Sequence, residues 1–184
     1  MTNESPVFAY GTLMFPEVAR CVAGDLGVGE PAEIDNYARF QATTRRRGNY
    51  PYITPRRGES VSGLLFRDVS PTQLKQLDWF EEEGTLYHRV AVQQIRIAGE
   101  ATDLDVWIYV IGPELDAQID AYARKQQAPR SEISWDSERF FEEEIEVYMK
   151  KIVLPAVCGI QYAKEFGEPI DVDYVAEMTC RFGE

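Results

Sequence analysis

The order of local patterns along the chain is the feature that most constrains its fold. Strand patterns dominate before residue 112, where many apolar residues cluster or alternate, whereas after it Leu115, Ile119 and Tyr122 recur at helical spacing. The predicted strands are 6–10, 39–44, 60–67, 87–97 and 104–111. Because strands come first and helices follow, we expect an α+β protein with a mostly antiparallel or mixed sheet.

Helix and turn signals divide the chain further. The first predicted helix covers 15–23, and a second begins after Ser70-Pro71, with Ser70 as the N-cap, and stops at Gly84. Turns are expected at 45–51 and 55–58, and later helices at 135–148, 151–166 and 172–180. Pro155 lies inside one of these helices, so we expect it to kink or divide that helix.

Length and composition bound the number of domains. The chain has 184 residues, of which 45% are hydrophobic and 27% are charged. These values are usual for one globular domain of roughly 100–200 residues. We therefore predict a single domain over residues 1–184, in which a helical extension, 112–184, packs on a sheet-rich core, 1–111.

The charge balance and the cysteines limit partners and location. With 31 acidic and 19 basic residues the net charge is −12, which disfavours binding to nucleic acid or to an anionic membrane. Cys21, Cys158 and Cys180 form no CxxC pair, which favours reduced thiols over a disulfide framework or a zinc site. Since there is no secretory-signal pattern and no apolar stretch of about 20 residues, we expect a cytoplasmic protein.

The single histidine, His88, excludes several classes of enzyme. Zinc motifs that use two histidines cannot form within this chain, and any serine or cysteine nucleophile would need His88 as its base. If the protein is an enzyme, we therefore expect a carboxylate to carry its proton transfers.

Two motifs favour ordinary structural explanations. Gly27–Ala32 fits G-x-G-x-x-A, but a predicted helix precedes it and Pro31 lies inside it, whereas a dinucleotide site needs a strand before the glycines. Arg45-Arg46-Arg47 is typical of a solvated loop; its functional interpretation is capture of a substrate carboxylate.

Four carboxylates crowd the end of the second predicted helix: Asp78, Glu81, Glu82 and Glu83. They are interpreted as an exposed acidic face, as a divalent-metal site, or as the source of a catalytic carboxylate. The spacing matches no metal loop of defined geometry. Glu81 lies four residues after Leu77 and so borders the apolar face, where burial and nearby negative charge would both raise its pKa toward neutrality.

The segment Tyr10-Gly11-Thr12-Leu13 ends the first predicted strand and leads into a helix. Gly11 permits a sharp turn or the close approach of a ligand, and successive backbone N–H groups in such a loop form an anion-binding nest. An ordinary strand-to-helix turn explains the same residues equally well, so the residue chemistry leaves both interpretations open.

Several segments, taken in order, resemble one family. Phe8–Leu13 is similar to the N-terminal Y-G-[ST]-L signature of the γ-glutamylcyclotransferase-like superfamily, which includes the AIG2-like proteins and the γ-glutamylamine cyclotransferases. Leu77–Glu81, followed by Leu86–Val90, resembles its second signature, L-D-x-[FY]-E and then Y-x-R. The middle segment, with Asn49-Tyr50-Pro51 and Gly63, also matches in order and spacing.

The resemblance implies a small mixed, barrel-like sheet with flanking helices and an enzyme that needs no cofactor and no metal. It implies that backbone amides of Tyr10, Gly11, Thr12 and Leu13 bind a γ-glutamyl group, that Glu81 is the acid and base, and that Tyr50 and Tyr87 line the pocket. The implied reaction closes a γ-glutamyl amine or peptide to 5-oxoproline and releases the amine.

The chain departs from the family pattern in two ways, and two other functions are alternatives to the enzyme. Glu82-Glu83 replaces the usual Gly after the catalytic Glu, so the loop beside the site is altered. The helical extension is also longer than in the shortest members. The alternatives to the enzyme are a non-catalytic small-metabolite-binding protein of the AIG2-like type and a hydrolase that uses the acidic cluster, with or without a metal.

Overall fold

A seven-stranded mixed sheet organises the part of the chain that the structure describes. The structure, a computed structural model, describes residues 5–44, 48–93, 95–130 and 132–159, with side chains for all of these except 43, 44 and 48–50. The strands are β1 (Ser5–Ala9), β2 (Glu30–Thr44), β3 (Gly48–Val69), β4 (Tyr87–Val92), β5 (Ile95–Ile97), β6 (Glu100–Thr102) and β7 (Val106–Ile111). Their order across the sheet is β4-β7-β1-β3-β2-β5-β6.

Five α-helices flank this sheet within the described residues: α1 (Pro16–Ala23), α2 (Pro71–Phe80), α3 (Pro113–Lys125), α4 (Ser137–Glu143) and α5 (Ile145–Tyr148). A 3₁₀ turn, Thr12–Met14, precedes α1, and a π-helical segment, Met149–Val153, follows α5. No helix in this part of the chain has the length and apolarity that crossing a membrane requires.

The pairing of β1 makes the sheet mixed. This strand lies antiparallel to β3 on one side and parallel to β7 on the other, whereas the remaining neighbours pair antiparallel. The predicted α+β class with a small mixed sheet and flanking helices is confirmed. The sheet is open rather than closed, because the outermost described strands, β4 and β6, do not pair with each other.

Alternation along β1 divides the core between the two faces of the sheet. Val7 and Ala9 belong to a cluster that includes buried residues of α1, α2 and α3, whereas Phe8 and Tyr10 belong to a second cluster on the opposite face. Successive side chains of a strand point to opposite faces, so one apolar strand serves both. Leu115 and Val153 join the first cluster, so the described part of the extension shares its core with the sheet.

The long β2–β3 hairpin contains the turn that the sequence predicts at 55–58. Asp35 pairs with Ser60 and Tyr37 pairs with Pro55, so one residue of β2 lies opposite four residues of β3. The extra residues form a bulge in which Gly58 has φ +85° and donates its N–H to Oδ1 of Asn36 at 3.1 Å. The predicted turn is thus a bulge within β3 and does not end the strand.

The start of α2 is as predicted. Ser70 caps the helix, its hydroxyl oxygen accepts from the N–H of Gln73 at 3.3 Å, and the Gln73 side chain accepts from the N–H of Ser70 at 3.0 Å. Neither of these two N–H groups has a partner within the helix, and the side chain of the other residue accepts a hydrogen bond from each. This capping box therefore stabilises the first turn of α2.

Several expectations are wrong in detail. The strand predicted over 87–97 is two strands, because β4 pairs with β7 and β5 pairs with β2. The turn predicted at 45–51 does not include 48–51, because β3 already begins at Gly48. The helix predicted over 135–148 is two helices, which are separated at Glu144. Pro155, which is expected to kink or divide its helix, follows the π-helical segment and has helical residues on both sides. The predicted helix at 172–180 lies outside the described residues, as does Cys180.

Candidate functional site

One cavity brings together the two motifs that the sequence marks separately. Its volume is about 60 Å³, and it lies where β1 ends beside α2, β4 and β7. The residues that line it are Val7, Phe8, Ala9, Tyr10, Gly11, Thr12, Leu13, Pro51, Phe80, Glu81, Leu86, Tyr87, Tyr109, Tyr148 and Ile152. The whole Tyr10–Leu13 loop and the Glu81 carboxylate therefore face the same space.

The Tyr10–Leu13 loop forms a tight turn at one wall of this cavity. Met14 donates its N–H to the carbonyl of Gly11 at 2.9 Å, which closes the 3₁₀ turn. The first N–H groups of such a turn have no partner inside it, so Thr12 and Leu13 present donors at its start. A β-carbon on Gly11 would lie 2.5 Å from Cγ of Pro51, so glycine is required here by close approach rather than by backbone dihedrals.

Hydrogen bonds from distant elements hold this loop in place. The Tyr10 hydroxyl donates to the carbonyl of Tyr109 at 2.5 Å, and Nη1 of Arg39 donates to the carbonyl of Tyr10 at 2.7 Å. The hydroxyls of Thr12 and Tyr148 lie 3.2 Å apart and share a hydrogen bond. The loop is thus fixed from β7, from β2 and from the helical extension.

Glu81 occupies the C-cap position of α2. Its backbone N–H donates to the carbonyl of Leu77 at 2.9 Å, which continues the helix by one residue and directs the side chain to the cavity. Burial, and then the negative charge of Glu82, together raise the pKa of Glu81 to about 8. A carboxyl group with this pKa can both accept and donate a proton near neutral pH.

The other carboxylates of the acidic cluster have different surroundings. Asp78 accepts a hydrogen bond from the Tyr109 hydroxyl at 2.8 Å and pairs with Nη1 of Arg89 at 3.1 Å. Burial, and then the bond to Asp78, raise the pKa of Tyr109 well above its usual value, so this phenol stays protonated. Glu83 is exposed and does not line the cavity. Of the four carboxylates, Asp78 is thus structural, Glu81 lines the cavity, Glu82 is half-buried outside the lining, and Glu83 is exposed.

Tyr87 lies at the cavity, whereas only the backbone of Tyr50 belongs to the described part of the chain. Tyr87 lines the cavity, and its hydroxyl donates to the carbonyl of Pro51 at 2.8 Å. The backbone of Tyr50 pairs with Ala42 in the β2–β3 hairpin, whereas its side chain lies outside the described part of the chain. Residues 45–47, the arginine cluster, lie outside it as well.

Sequence reasoning missed four residues at or beside the cavity. Tyr109, Tyr148 and Ile152 line it, and Arg39 holds its loop. The contacts of these residues span up to 136 positions along the chain, so no local spacing reveals them. The alternating strand 106–111 does predict that Tyr109 shares a face with Trp107 and Ile111, and that was the one available signal.

The two remaining motifs have no part in the cavity. Gly27–Ala32 joins α1 to β2, so its order is helix, loop, strand, the reverse of a dinucleotide-binding turn. His88 lies on β4 and does not line the cavity. Among the described residues no group of three or more His, Cys, Asp or Glu side chains is placed to hold a metal ion.

Comparisons with known proteins identify the family and the fold. The model of the family described as gamma-glutamyl cyclotransferase, AIG2-like, matches residues 7–137. AIG2-like protein D of Arabidopsis thaliana is 26% identical over 166 residues, which cover 90% of this chain and 91% of that protein.

Two solved structures share the fold. One, a solution structure of an Arabidopsis thaliana protein, has a TM-score of 0.54 at 23% identity and covers 80% of this chain and 79% of its own. The other structure is described as a gamma-glutamyl cyclotransferase and has a TM-score of 0.53 at 15% identity. The alignment covers 81% of this chain and 99% of that protein's chain. The chain therefore belongs to the gamma-glutamyl cyclotransferase, AIG2-like family.

Proposed function

We propose that this protein is a γ-glutamyl cyclotransferase that converts a γ-glutamyl amine or peptide to 5-oxoproline and the free amine. The observation that carries the proposal is the shared cavity of Glu81 and the Tyr10–Leu13 loop. It offers a carboxyl group with a pKa of about 8 and a row of backbone donors around one small space. Membership of the family supports the same chemistry.

The first step is proton removal from the α-ammonium of the substrate. An α-amino group has a reference pKa of about 8, and a free glutamate near 4.3 would be a poor base for it. Because burial raises the pKa of Glu81 to about 8, the two groups are matched and the transfer costs little free energy. The neutral α-amine then attacks the γ-carbonyl carbon and closes the five-membered ring.

The developing oxyanion needs donors that are already in place. The Tyr10–Leu13 loop supplies backbone N–H groups at the start of its 3₁₀ turn, within the same cavity. A well-placed donor of this kind contributes roughly 10²–10³ in rate. Holding the amine against the carbonyl adds the entropic advantage of an intramolecular reaction.

Collapse of the tetrahedral intermediate releases the amine. The α-nitrogen loses two protons in total as it changes from ammonium to lactam, and the bond from the carbonyl carbon to the leaving nitrogen breaks. Glu81 passes these protons to the leaving nitrogen, which departs as a protonated amine, so atoms and charge balance. Neither an oxidant nor a second substrate enters this sequence of steps.

The test is release of 5-oxoproline from a panel of γ-glutamyl amines and γ-glutamyl dipeptides. Glu81→Gln keeps the shape of the side chain and removes its proton transfer, so we expect kcat to fall by roughly 10²–10⁴. Glu83→Gln, an exposed neighbour, is the matched control and is expected to retain wild-type activity.

Two results would contradict the proposal. Wild-type turnover by Glu81→Gln would remove Glu81 from the mechanism. Tight binding of a γ-glutamyl compound with no 5-oxoproline formed from any member of the panel would favour the non-catalytic metabolite-binding protein instead.

A further inference from the structure

Arg39, on β2, contacts the backbone of the Tyr10–Leu13 loop. Its Nη1 donates to the carbonyl oxygen of Tyr10 at 2.7 Å and lies 3.4 Å from the carbonyl oxygen of Ser62 on β3. Arg39 is half-buried and does not itself line the cavity. The half-buried guanidinium of Arg39 thus donates a hydrogen bond to a backbone carbonyl of the candidate site. The proposed mechanism does not use this charge.

The Arg39 contact fixes the peptide between Tyr10 and Gly11. In a trans peptide the carbonyl and the following N–H point to opposite sides of one plane, and the described residues contain no cis peptide. The Tyr10 carbonyl accepts from Arg39, a residue that does not line the cavity. The N–H of Gly11 is therefore directed away from Arg39, and Gly11 and Thr12 themselves line the cavity.

We infer that Arg39 is a positioning residue that holds the Gly11 N–H toward the cavity, as a donor to the carbonyl oxygen of the substrate. This inference rests on the proposed cyclotransferase function. A charge-assisted hydrogen bond is stronger than a neutral one, and it polarises the peptide so that the opposite N–H becomes a better donor. Without Arg39 the Tyr10 carbonyl loses its charged partner, and rotation of the peptide would bring that oxygen toward the developing oxyanion.

Trp135 holds Arg39 in place and connects it to the helical extension. The Trp135 ring centroid lies 5.2 Å from Cζ of Arg39, a cation–π distance, and Trp135 is only 3% exposed. The same ring meets Phe15 edge to face, with centroids 6.4 Å apart, just beyond the loop. Burial lowers the pKa of Arg39, while Tyr10 and Asp136 act in the opposite direction, and an arginine keeps its charge throughout the physiological range.

The first test compares turnover in arginine variants. Arg39→Met removes the charge and the donor while keeping an unbranched chain over Trp135, and we expect kcat to fall roughly 10²-fold with little change in KM. Arg39→Lys keeps a charged donor and is expected to recover part of the loss. The matched control is Arg96→Met, because Arg96 is a half-buried arginine on β5 that pairs with Glu33 and Asp35, away from the loop.

The second test reports the orientation of the peptide without turnover. Residual dipolar couplings of the Gly11 N–H in ligand-free protein are expected to change in Arg39→Met and to stay unchanged in Arg96→Met. In wild type, added 5-oxoproline is expected to shift the Gly11 amide resonance, and Arg39→Met should abolish that shift.

The two tests separate this inference from the proposed function. If wild-type protein forms no 5-oxoproline, the proposed function fails, yet the couplings of Gly11 still measure what Arg39 does to the peptide. Unchanged couplings in Arg39→Met, or a loss of kcat equal to that of Arg96→Met, would overturn the positioning role.

Discussion

At the scale of single residues, Glu82 sets the charge beside the proposed acid and base. The pKa of Glu81 is raised first by burial and then by the negative charge of Glu82. Glu82→Gln removes that charge, so the pKa of Glu81 should fall and its base form should persist at lower pH. We expect kcat/KM of the wild type to rise with pH around pH 8, and we expect this rise to move to lower pH in the variant.

The control for this shift is Glu83→Gln. Glu83 is exposed and does not contribute to the raised pKa of Glu81. A pH profile of 5-oxoproline release between pH 5.5 and 9.5 compares the three proteins. Identical profiles for Glu82→Gln and wild type would show that the charge of Glu82 does not reach Glu81.

Gly11 gives a second prediction at this scale, based on close packing. In Gly11→Ala the new methyl group would overlap Cγ of Pro51, which a stiff proline ring cannot move aside. Overpacking of this kind costs roughly 1–3 kcal/mol of unfolding free energy. We expect lower stability in urea denaturation, and a loss of activity because the loop shifts.

A compensating substitution tests the cause of that loss. Pro51→Ala removes the ring carbon that the new methyl group would meet, so the double variant Gly11→Ala, Pro51→Ala should be less destabilised than the sum of the single variants. Simple additivity would place the strain of Gly11→Ala elsewhere.

Some residues of the candidate site can be predicted from the sequence, and others cannot. Glu81 borders an apolar helix face and Gly11 ends a strand, so both can be found from short-range patterns. Arg39 donates to the Tyr10 carbonyl from 29 positions away, and the Tyr10 hydroxyl donates to the carbonyl of Tyr109, which lies 99 positions away. A carbonyl acceptor exists at every residue, so no sequence pattern indicates which one a distant side chain will select.

At the scale of elements, the end of α2 carries strain that a glycine would relieve. Glu82 follows the C-cap and adopts φ +49°, the left-handed conformation in which glycine is usual. This conformation costs a residue with a β-carbon roughly 1–2 kcal/mol, whereas the greater freedom of glycine in the unfolded chain costs roughly 0.4–1 kcal/mol. The difference predicts that Glu82→Gly stabilises the protein by about 0.5–1 kcal/mol.

Urea denaturation at a fixed pH measures this effect, and Glu82→Ala is its control. Alanine removes the same charge and side chain but keeps the β-carbon, so it should retain the strain. If the Ala variant were as stable as the Gly variant, the gain would come from the lost charge rather than from the backbone.

Elements with a strong local signal were predicted, and those fixed by pairing were not. Ser70 as N-cap, followed by Pro71, identified the start of α2, and a run rich in Val, Ile, Trp and Tyr identified β7. The split of 87–97 into β4 and β5 depends on two different partner strands, which no local pattern specifies. The π-helical segment before Pro155 is likewise an adjustment that keeps one helix continuous around a proline.

At the scale of the whole molecule, the cavity lies where three parts of the chain meet. The end of β1 provides the loop, α2 with β4 provides Glu81 and Tyr87, and the helical extension provides Tyr148 and Ile152. The extension is therefore a wall of the candidate site as well as part of the core. Its described contacts with Thr12 and Arg39 make the geometry of the loop depend on how the extension packs.

The raised pKa of Glu81 also makes the stability of the whole fold depend on pH. Its folded pKa is about 8 against an ordinary value of 4.5, so between these values the folded protein binds more protons than the unfolded chain. The stabilisation is complete below about pH 4.5 and is lost as pH rises through about 8, with a slope of at most about 1.4 kcal/mol per pH unit.

The Glu81→Gln variant has no titratable group at position 81. Its unfolding free energy should therefore lack the pH dependence that Glu81 contributes in the wild type. The other acidic groups of a chain with net charge −12 contribute to both proteins alike, and subtraction removes them. Urea denaturation of both proteins at intervals from pH 5 to pH 9 gives the difference in unfolding free energy. We expect wild type to lose stability relative to Glu81→Gln as pH rises toward 8 and the difference to level off above it. A difference that stays flat across this range would mean that Glu81 titrates near its ordinary pKa, and the matched proton transfer to the substrate amine would then have no physical basis.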